Sequence, residues 1–245
     1  MPASHGTIVS PCDSRVLLGQ TSANKSIPVK EKFFCLNELI GADKVGWQAC
    51  FSDGYFAIFR LTPEKYHYNH LPVSGRVADI YEIDGEFHSC NPSAVVRMVT
   101  PYSKNRRYVT VIDTDVEGGT NVGFVAMIEV VALMIGEIVQ CYSEDKYSPS
   151  NPLRIGQFVK RGAVKSLFRP GSSTVLLLFE QGRMMFDYDL VKNSQRHDVQ
   201  SRFSYFFGEH LVETDVAVRS SIGNTTAPRT RPDLITNQSS ELETP

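Results

Sequence analysis

Three short stretches of this chain hold side chains whose types and spacing could do chemistry. They are Pro11-Cys12-Asp13-Ser14, Tyr66-His67-Tyr68-Asn69-His70, and Gly171-Ser172-Ser173-Thr174. The two serines stand at a predicted tight turn, where Pro170 fixes φ and Gly171 supplies conformational freedom. The run Val175 to Phe179 that follows is short and continuously apolar, which predicts a strand buried inside a sheet. A hydroxyl held at the mouth of a rigid strand loses little freedom on reaching a reactive geometry, so nucleophilic chemistry is open to Ser172 and Ser173. The plainer reading is an ordinary Gly-Ser turn before a core strand. His67 and His70 lie three apart, and Thr62 with Pro63 could start a short helix on which both imidazoles face one way. Such a pair is either the start of a metal site or two half-buried, hydrogen-bonded imidazoles. No third ligand stands nearby and there is no H-E-x-x-H frame, so no metal is expected. Asp13 follows a proline and reads first as turn chemistry.

Composition limits what these residues can serve. A length of 245 residues allows one large domain or two small ones, with a substantial core. A formal charge of −2 leaves no basic excess to neutralise phosphates, which argues against nucleic acid as a partner. Five scattered cysteines with no C-x-x-C pair suit buried thiols in a reducing compartment better than a disulfide frame or a zinc site. No apolar run is long enough for a transmembrane helix, and Met1 to Gly6 lacks a signal-peptide pattern. The expectation is an intracellular protein, soluble or peripheral to a membrane.

The elements that must position these side chains read mainly as strands. Thr7 to Leu18 predicts strand, turn and strand with Asp13 at the turn. Leu36 to Ile40 predicts a short helix ended by Gly41. Further strands are expected over Tyr55–Arg60, Val77–Ile83, Tyr108–Asp113, Ile155–Lys160 and near Asp215–Arg219. Asp84-Gly85 signals a hairpin. Val122 to Val139 predicts two buried strands with a bend, and Ser143 to Pro152 a polar loop. Phe203 to Phe207 adds a last set of core residues. The segment from Asn224 is nearly devoid of apolar residues and is expected to be disordered. No internal repeat is present. The expected fold is α+β, mainly antiparallel β of sandwich or barrel-like form with a few short helices, in a domain of residues 1–223 and a tail of 224–245.

In combination, these segments resemble the phosphatidylserine decarboxylase family. Ile8-Val9-Ser10-Pro11-Cys12-Asp13-Ser14-Arg15-Val16 is similar to its V-S-P-x-D-G-x-V segment. Leu61 to Gly75 is similar to its L-x-P-x-D-Y-H-R-x-H-x-P-x-x-G segment. Gly171-Ser172-Ser173-Thr174-Val175 resembles its G-S-T processing site, and Val122 to Ile138 its glycine-punctuated apolar stretch. The resemblance covers roughly Ile8 to Gly223, and the Y-H-x-x-H-x-P-x-x-G part is its most specific element.

The resemblance implies a self-processing proenzyme. The serine aligned with the reactive one is Ser173. It attacks the preceding carbonyl, and elimination from the resulting ester leaves a pyruvoyl group on a new N-terminus. Cleavage at Ser172–Ser173 gives a β chain of residues 1–172 and an α chain of 173–245. By the same resemblance Asp13, His70 and Ser173 form a triad, with His70 as base, and His67 serves the decarboxylation by protonating the carbanion. The pyruvoyl carbonyl supplies the electron sink that an amino-acid carboxylate needs to leave as CO₂, so no metal or added cofactor is required. Family analogy suggests paired β and α chains and a homodimer.

The chain departs from the family pattern in several places. Ser172 stands in place of glycine, which makes Gly171–Ser172 a second conceivable cleavage bond. Lys65 replaces an acidic residue, Ser14 replaces glycine, and Gly162-Ala163-Val164-Lys165-Ser166 has lost its carboxylates. The leading expectation is decarboxylation of phosphatidylserine to phosphatidylethanolamine with peripheral membrane contact. The alternatives are a decarboxylase of a free amino acid, aromatic ones included, and a non-catalytic relative. A serine hydrolase ranks last, because no G-x-S-x-G elbow is present.

Overall fold

The computed structural model describes residues 1–21, 33–98, 100–133, 137–169, 173–207 and 211–226. The predicted turn Pro170-Gly171-Ser172 and the tail beyond Thr226 therefore lie outside the described residues. Fourteen strands are numbered here in chain order: β1 (Thr7–Val9), β2 (Ser14–Gln20), β3 (Tyr55–Leu61), β4 (Tyr68–His70), β5 (Gly75–Ile83), β6 (Arg107–Asp113) and β7 (Phe124–Val130) come first. They are followed by β8 (Ile138–Ser143), β9 (Phe158–Val159), β10 (Val164–Phe168), β11 (Ser173–Phe179), β12 (Met184–Phe186), β13 (Thr214–Val216) and β14 (Ser221–Thr225). Six short helices are α1 (Leu36–Ile40), α2 (Val45–Phe51), α3 (Pro92–Val95), α4 (Pro101–Lys104), α5 (Tyr188–Ser194) and α6 (Arg202–Phe207). The class is α+β and mainly antiparallel β, in open sheets rather than a closed barrel.

An eight-stranded sheet of order β13-β2-β3-β11-β7-β6-β5-β9 forms the centre. β11 lies between β3 and β7, paired antiparallel to both, with Ser173 opposite Leu61 and Thr174 opposite Val130. Both faces of the sheet are covered, which explains why Val175 to Phe179 is apolar throughout. Val175, Leu177 and Phe179 join one core with Phe59, Leu71, Val73 and Met127. Leu176 and Leu178 join the other with Phe34, Phe56, Tyr102 and Phe203. A small sheet β4-β10-β8 brings the histidine strand beside the first core. A second, β1-β14-β12, closes the end that carries Ser10 to Asp13.

Several expectations need correction. Thr62 to His67 forms a turn rather than a helix, with the Lys65 amide donating to the Thr62 carbonyl, and His70 is on β4. Pairing of β4 with β10 takes the backbone groups a helix would need. Asp84-Gly85 does not make a hairpin. β5 pairs with β6 after a connection containing α3 and α4. The expected strand at Ile155–Lys160 shortens to Phe158–Val159, and of the core residues expected in Phe203 to Phe207, Phe203 is buried and Tyr205 is exposed, both on α6. Trp47 and Phe51 belong to α2, ahead of β3. Asn224 and Thr225, expected in the tail, extend β14 against β1 and β12. None of the five cysteines is in a disulfide. No helix among the described residues is long and apolar enough to cross a membrane.

A buried polar network joins the small sheet to the central one. The registers of β10 with both of its neighbours shift between Val164 and Ser166, and against β4 Lys165 is the extra residue of a bulge. Its side chain is fully buried, with Nζ 2.5 Å from the Glu129 carboxylate and 3.0 Å from Gln140 Oε1. Glu129 also accepts from Asn69 Nδ2 at 3.1 Å and from the Ser166 hydroxyl. Asn69 precedes His70, so this network fixes the strand that presents the histidine.

Candidate active site

Asp13 and His70 come together because two backbone contacts tie their elements. The His70 amide donates to the Pro11 carbonyl at 2.7 Å, which lays β4 against the β1–β2 turn. The loop after β13 is tied to the same turn, with Arg219 N donating to Ser10 O at 2.9 Å and Ser10 N to Ser220 O at 2.8 Å. Asp13 Oδ1 accepts from the Val218 amide at 2.7 Å. Arg219 holds a left-handed backbone, φ 65°, which is rare for a residue with a side chain. The resulting cavity of about 300 Å³ is lined by Asp13, Tyr66, His70, Tyr147, Val218 and Arg219.

Inside it, His70 is buried and held at both ring nitrogens. Nδ1 lies 2.9 Å from the Gly162 carbonyl, and Nε2 lies 2.9 Å from the Tyr66 hydroxyl. A carbonyl can only accept, so the proton is assigned to Nδ1 and the lone pair of Nε2 faces the phenol. Arg219 Nε donates to the same carbonyl at 2.8 Å and sits 3.2 Å from Nδ1. Burial pushes the imidazole below its ordinary value of 6.5. The Arg219 charge adds to this, while the Gly162 carbonyl and Asp13 oppose it. His70 is therefore neutral near pH 7, with a base lone pair at Nε2. Tyr66 in turn meets the Tyr147 hydroxyl at 2.8 Å, and its phenol is raised by burial and by that contact.

Gly162 supplies the carbonyl on which this depends. Its φ is +78°, and a Cβ at this position would come within 2.2 Å of Met1 Sδ. Arg161 beside it donates to the carbonyls of Pro2, Ser4 and Thr7, anchoring the N-terminal segment at the rim.

The other expected residues lie close by but apart. His67 immediately precedes β4, its Nδ1 2.5 Å from the Lys65 carbonyl, and its own carbonyl accepts from Phe168 N at 3.0 Å. It is not among the described residues lining the cavity. Ser173 opens β11 fully buried, and its hydroxyl has no hydrogen-bond partner among the described residues. Asp13 and His70 share one cavity without a direct hydrogen bond. Ser173 is on the central sheet and His70 on the small one, and they are linked by Leu61, which pairs with Ser173 and leads through Thr62–His67 into β4. Ser172 lies outside the described residues.

Tyr147, Gly162, Val218 and Arg219 were missed by the sequence reading. Tyr66 is part of the quoted Y-H-x-x-H stretch, so its place in the site had a signal four residues before His70.

A family model described as phosphatidylserine decarboxylase matches residues 1–212. The phosphatidylserine decarboxylase proenzyme of Chlamydia trachomatis serovar L2b is 33% identical over 205 residues, covering 83% of this chain and 62% of the relative. That of Clostridium tetani is 31% identical over 217 residues, covering 88% and 62%. That of Ruminiclostridium cellulolyticum is 29% identical over 229 residues, covering 93% and 66%. The chain thus spans a little under two thirds of the length of these curated relatives. It belongs to the phosphatidylserine decarboxylase family.

Proposed function

We propose that this chain is a self-processing, pyruvoyl-dependent carboxy-lyase that converts phosphatidylserine to phosphatidylethanolamine and CO₂. The observation that carries the reading is the neutral His70, its Nε2 lone pair directed into a cavity shared with Asp13, on a strand contiguous with the partner of Ser173. Ser173 itself fits the precursor of a pyruvoyl group, because it is a buried hydroxyl with no partner among the described residues at the first position of a rigid central strand.

In the processing step His70 Nε2 takes the Ser173 hydroxyl proton as the oxygen attacks the carbonyl of Ser172. The amide C–N bond breaks and an ester forms, and the nitrogen of residue 173 takes up the proton. Loss of the Ser173 Cα proton then expels the carboxylate of Ser172, and water replaces nitrogen at residue 173 as ammonia. Asp13 acts through space, its charge favouring the imidazolium that forms while Val218 holds the carboxylate in place. Tyr66 must yield Nε2 to the serine, so the Tyr66–Tyr147 pair gates the base. When formed, a pyruvoyl group supplies the electron sink for decarboxylation. His67, whose carbonyl accepts from the amide of Phe168, five residues before Ser173, is the residue assigned to return the proton.

Peripheral contact with a lipid surface is part of the proposal. Tyr147 and Ile155, both more than half exposed, lie on the β8–β9 connection that borders the cavity and support it. The paired β and α chains of a dimer follow from the family reading alone. The test is CO₂ release from phosphatidylserine in mixed micelles, from free serine and from free aromatic amino acids. Release from the phospholipid alone, abolished in Ser173→Ala, is expected. Release from a free amino acid instead would overturn the substrate assignment.

A further inference from the structure

Asp13 and His70 line one cavity without bonding to each other, yet contacts to both come from one short turn, Ala217 to Ser220, between β13 and β14. Its Val218 amide donates to Asp13 Oδ1 at 2.7 Å. The next side chain, Arg219, donates from Nε to the Gly162 carbonyl at 2.8 Å, and His70 Nδ1 meets that same carbonyl at 2.9 Å. The two nitrogens stand 3.2 Å apart, so both lone pairs of one carbonyl are taken by one guanidinium and one imidazole. Ser220 closes the turn, donating to the Ala217 carbonyl from its amide at 3.1 Å and from its hydroxyl at 2.6 Å.

Arg219 occupies this place against its own backbone preference. A φ of 65° suits glycine and strains a residue that carries a Cβ. The surrounding bonds enforce it, with the Arg219 amide on Ser10 O at 2.9 Å and the Ser10 amide on Ser220 O at 2.8 Å. The backbone alone does not call for arginine, so the reason for that residue lies in its side chain. The charges that face His70 are few. Asp13 faces it from the β1–β2 turn and Arg219 from the β13–β14 turn, while the Tyr66 phenol, backed by Tyr147, meets Nε2. The β9–β10 turn offers the Gly162 carbonyl, because the Arg161 guanidinium beside it is taken by the carbonyls of Pro2, Ser4 and Thr7. Glu129 and Lys165 form a closed ion pair beyond Asn69. Of these charges Arg219 opposes a proton on the imidazole and Asp13 favours it.

We propose that Arg219 is a positioning residue for His70, and that the Val218–Arg219 turn is the clasp that seats Asp13 and His70 as a pair. This deepens the decarboxylase reading and rests on it. Under the cleavage proposed above, Asp13 and His70 fall in the first chain and Val218 and Arg219 in the second. The clasp therefore also ties the two chains together at the site.

The test is the titration midpoint of His70, read by NMR on histidine-labelled full chain in a Ser173→Ala background, with its signal identified by loss in His70→Gln. Arg219→Gly and Arg219→Gln each remove the charge and are expected to raise the midpoint by about one pH unit. Arg219→Lys keeps the charge and should hold the midpoint near that of the parent. Arg219→Gly also accepts the left-handed backbone without strain, so a purely structural role for Arg219 would leave its midpoint unmoved. With Ser173 restored, the pH midpoint of chain cleavage should rise in the glycine and glutamine variants and stay in place in the lysine variant. An unmoved His70 midpoint in Arg219→Gly and Arg219→Gln would overturn the proposal, as would an equal rise in Arg219→Lys. A raised His70 midpoint in a protein that never cleaves with Ser173 intact refutes the processing reading and upholds the clasp. Normal cleavage with an unmoved midpoint refutes the clasp alone.

Discussion

Lys165→Met removes the only charge compensation that the buried Glu129 receives at contact distance among the described residues. Lys165 Nζ lies 2.5 Å from one carboxylate oxygen, and both side chains are fully buried. The carboxylate keeps Asn69, Ser166 and Gln140 as neutral donors. Breaking a buried ion pair by deleting one partner costs about 3–5 kcal/mol. Three remaining donors place this case near the lower end, about 3 kcal/mol. For a chain of this size each kcal/mol corresponds to about 2–4 °C in Tm, so the variant should melt about 6–12 °C below wild type. The charge-neutral double variant Glu129→Gln/Lys165→Met should recover most of that loss, because no bare charge is then left in the core. The assay is thermal or urea unfolding of both variants under identical conditions, followed by the rate of chain cleavage. Because Asn69 and Ser166 hold β4, cleavage in the single variant should also slow. A single variant within about 1 kcal/mol of wild type would refute the argument. So would a double variant as unstable as the single one.

Two further outcomes follow from His70. Its folded pKa lies below 6.5, chiefly through burial, so cleavage that uses a neutral Nε2 should stay level as pH falls to 6.5 and decline with a midpoint lower still. The same shift means that the unfolded chain binds the proton more readily, so stability falls as pH drops from 6.5 toward the folded value. A cleavage midpoint at or above about pH 7 in a stopped-incubation series would contradict this. Gly162→Ala introduces a Cβ into a φ of +78° and against Met1 Sδ, at a strain cost of about 1–3 kcal/mol. Displacement of the carbonyl that orients His70 should slow cleavage more than Lys160→Gln, an exposed neighbour, and equal rates in the two variants would count against that role for the carbonyl.

What the sequence made legible depended on how local the cause was. β2, β3, β6, β7 and β11 could be read because their branched and aromatic runs are buried by the sheet they build. α1 could be read from the glycine that ends it, at φ 111°. Where the deciding contact is distant, local signals misled. Thr62-Pro63 has helix-start chemistry, but the Thr62 hydroxyl turns to Glu64, and pairing with β10 claims the chain from Tyr68 onward. Asp84 binds the Gly85 amide as a turn would, yet the partner strand of β5 begins only at Arg107. β14 is polar and short, and exists because β1 and β12 flank it from more than 30 residues away. α2 has no side-chain cap to mark its start.

The site divides the same way. Asp13, His67, His70 and Ser173 are marked by motif, and Asp13 and His70 line one cavity. Tyr147 reaches Tyr66 across 81 positions and Arg219 reaches His70 across 149, separations that no local pattern encodes. The loop bearing Tyr147 reads as polar filler until its ring is seen against Tyr68, with centroids 4.8 Å apart.

The most direct test of the central claim is the intact mass of the freshly purified protein. Cleavage at Ser172–Ser173 predicts two chains, residues 1–172 and 173–245, the second lighter by one ammonia than the same chain beginning with a free serine. Ser173→Ala should give one uncut chain. A wild-type protein that stays a single chain after long incubation, matching Ser173→Ala apart from the substitution, would contradict the account.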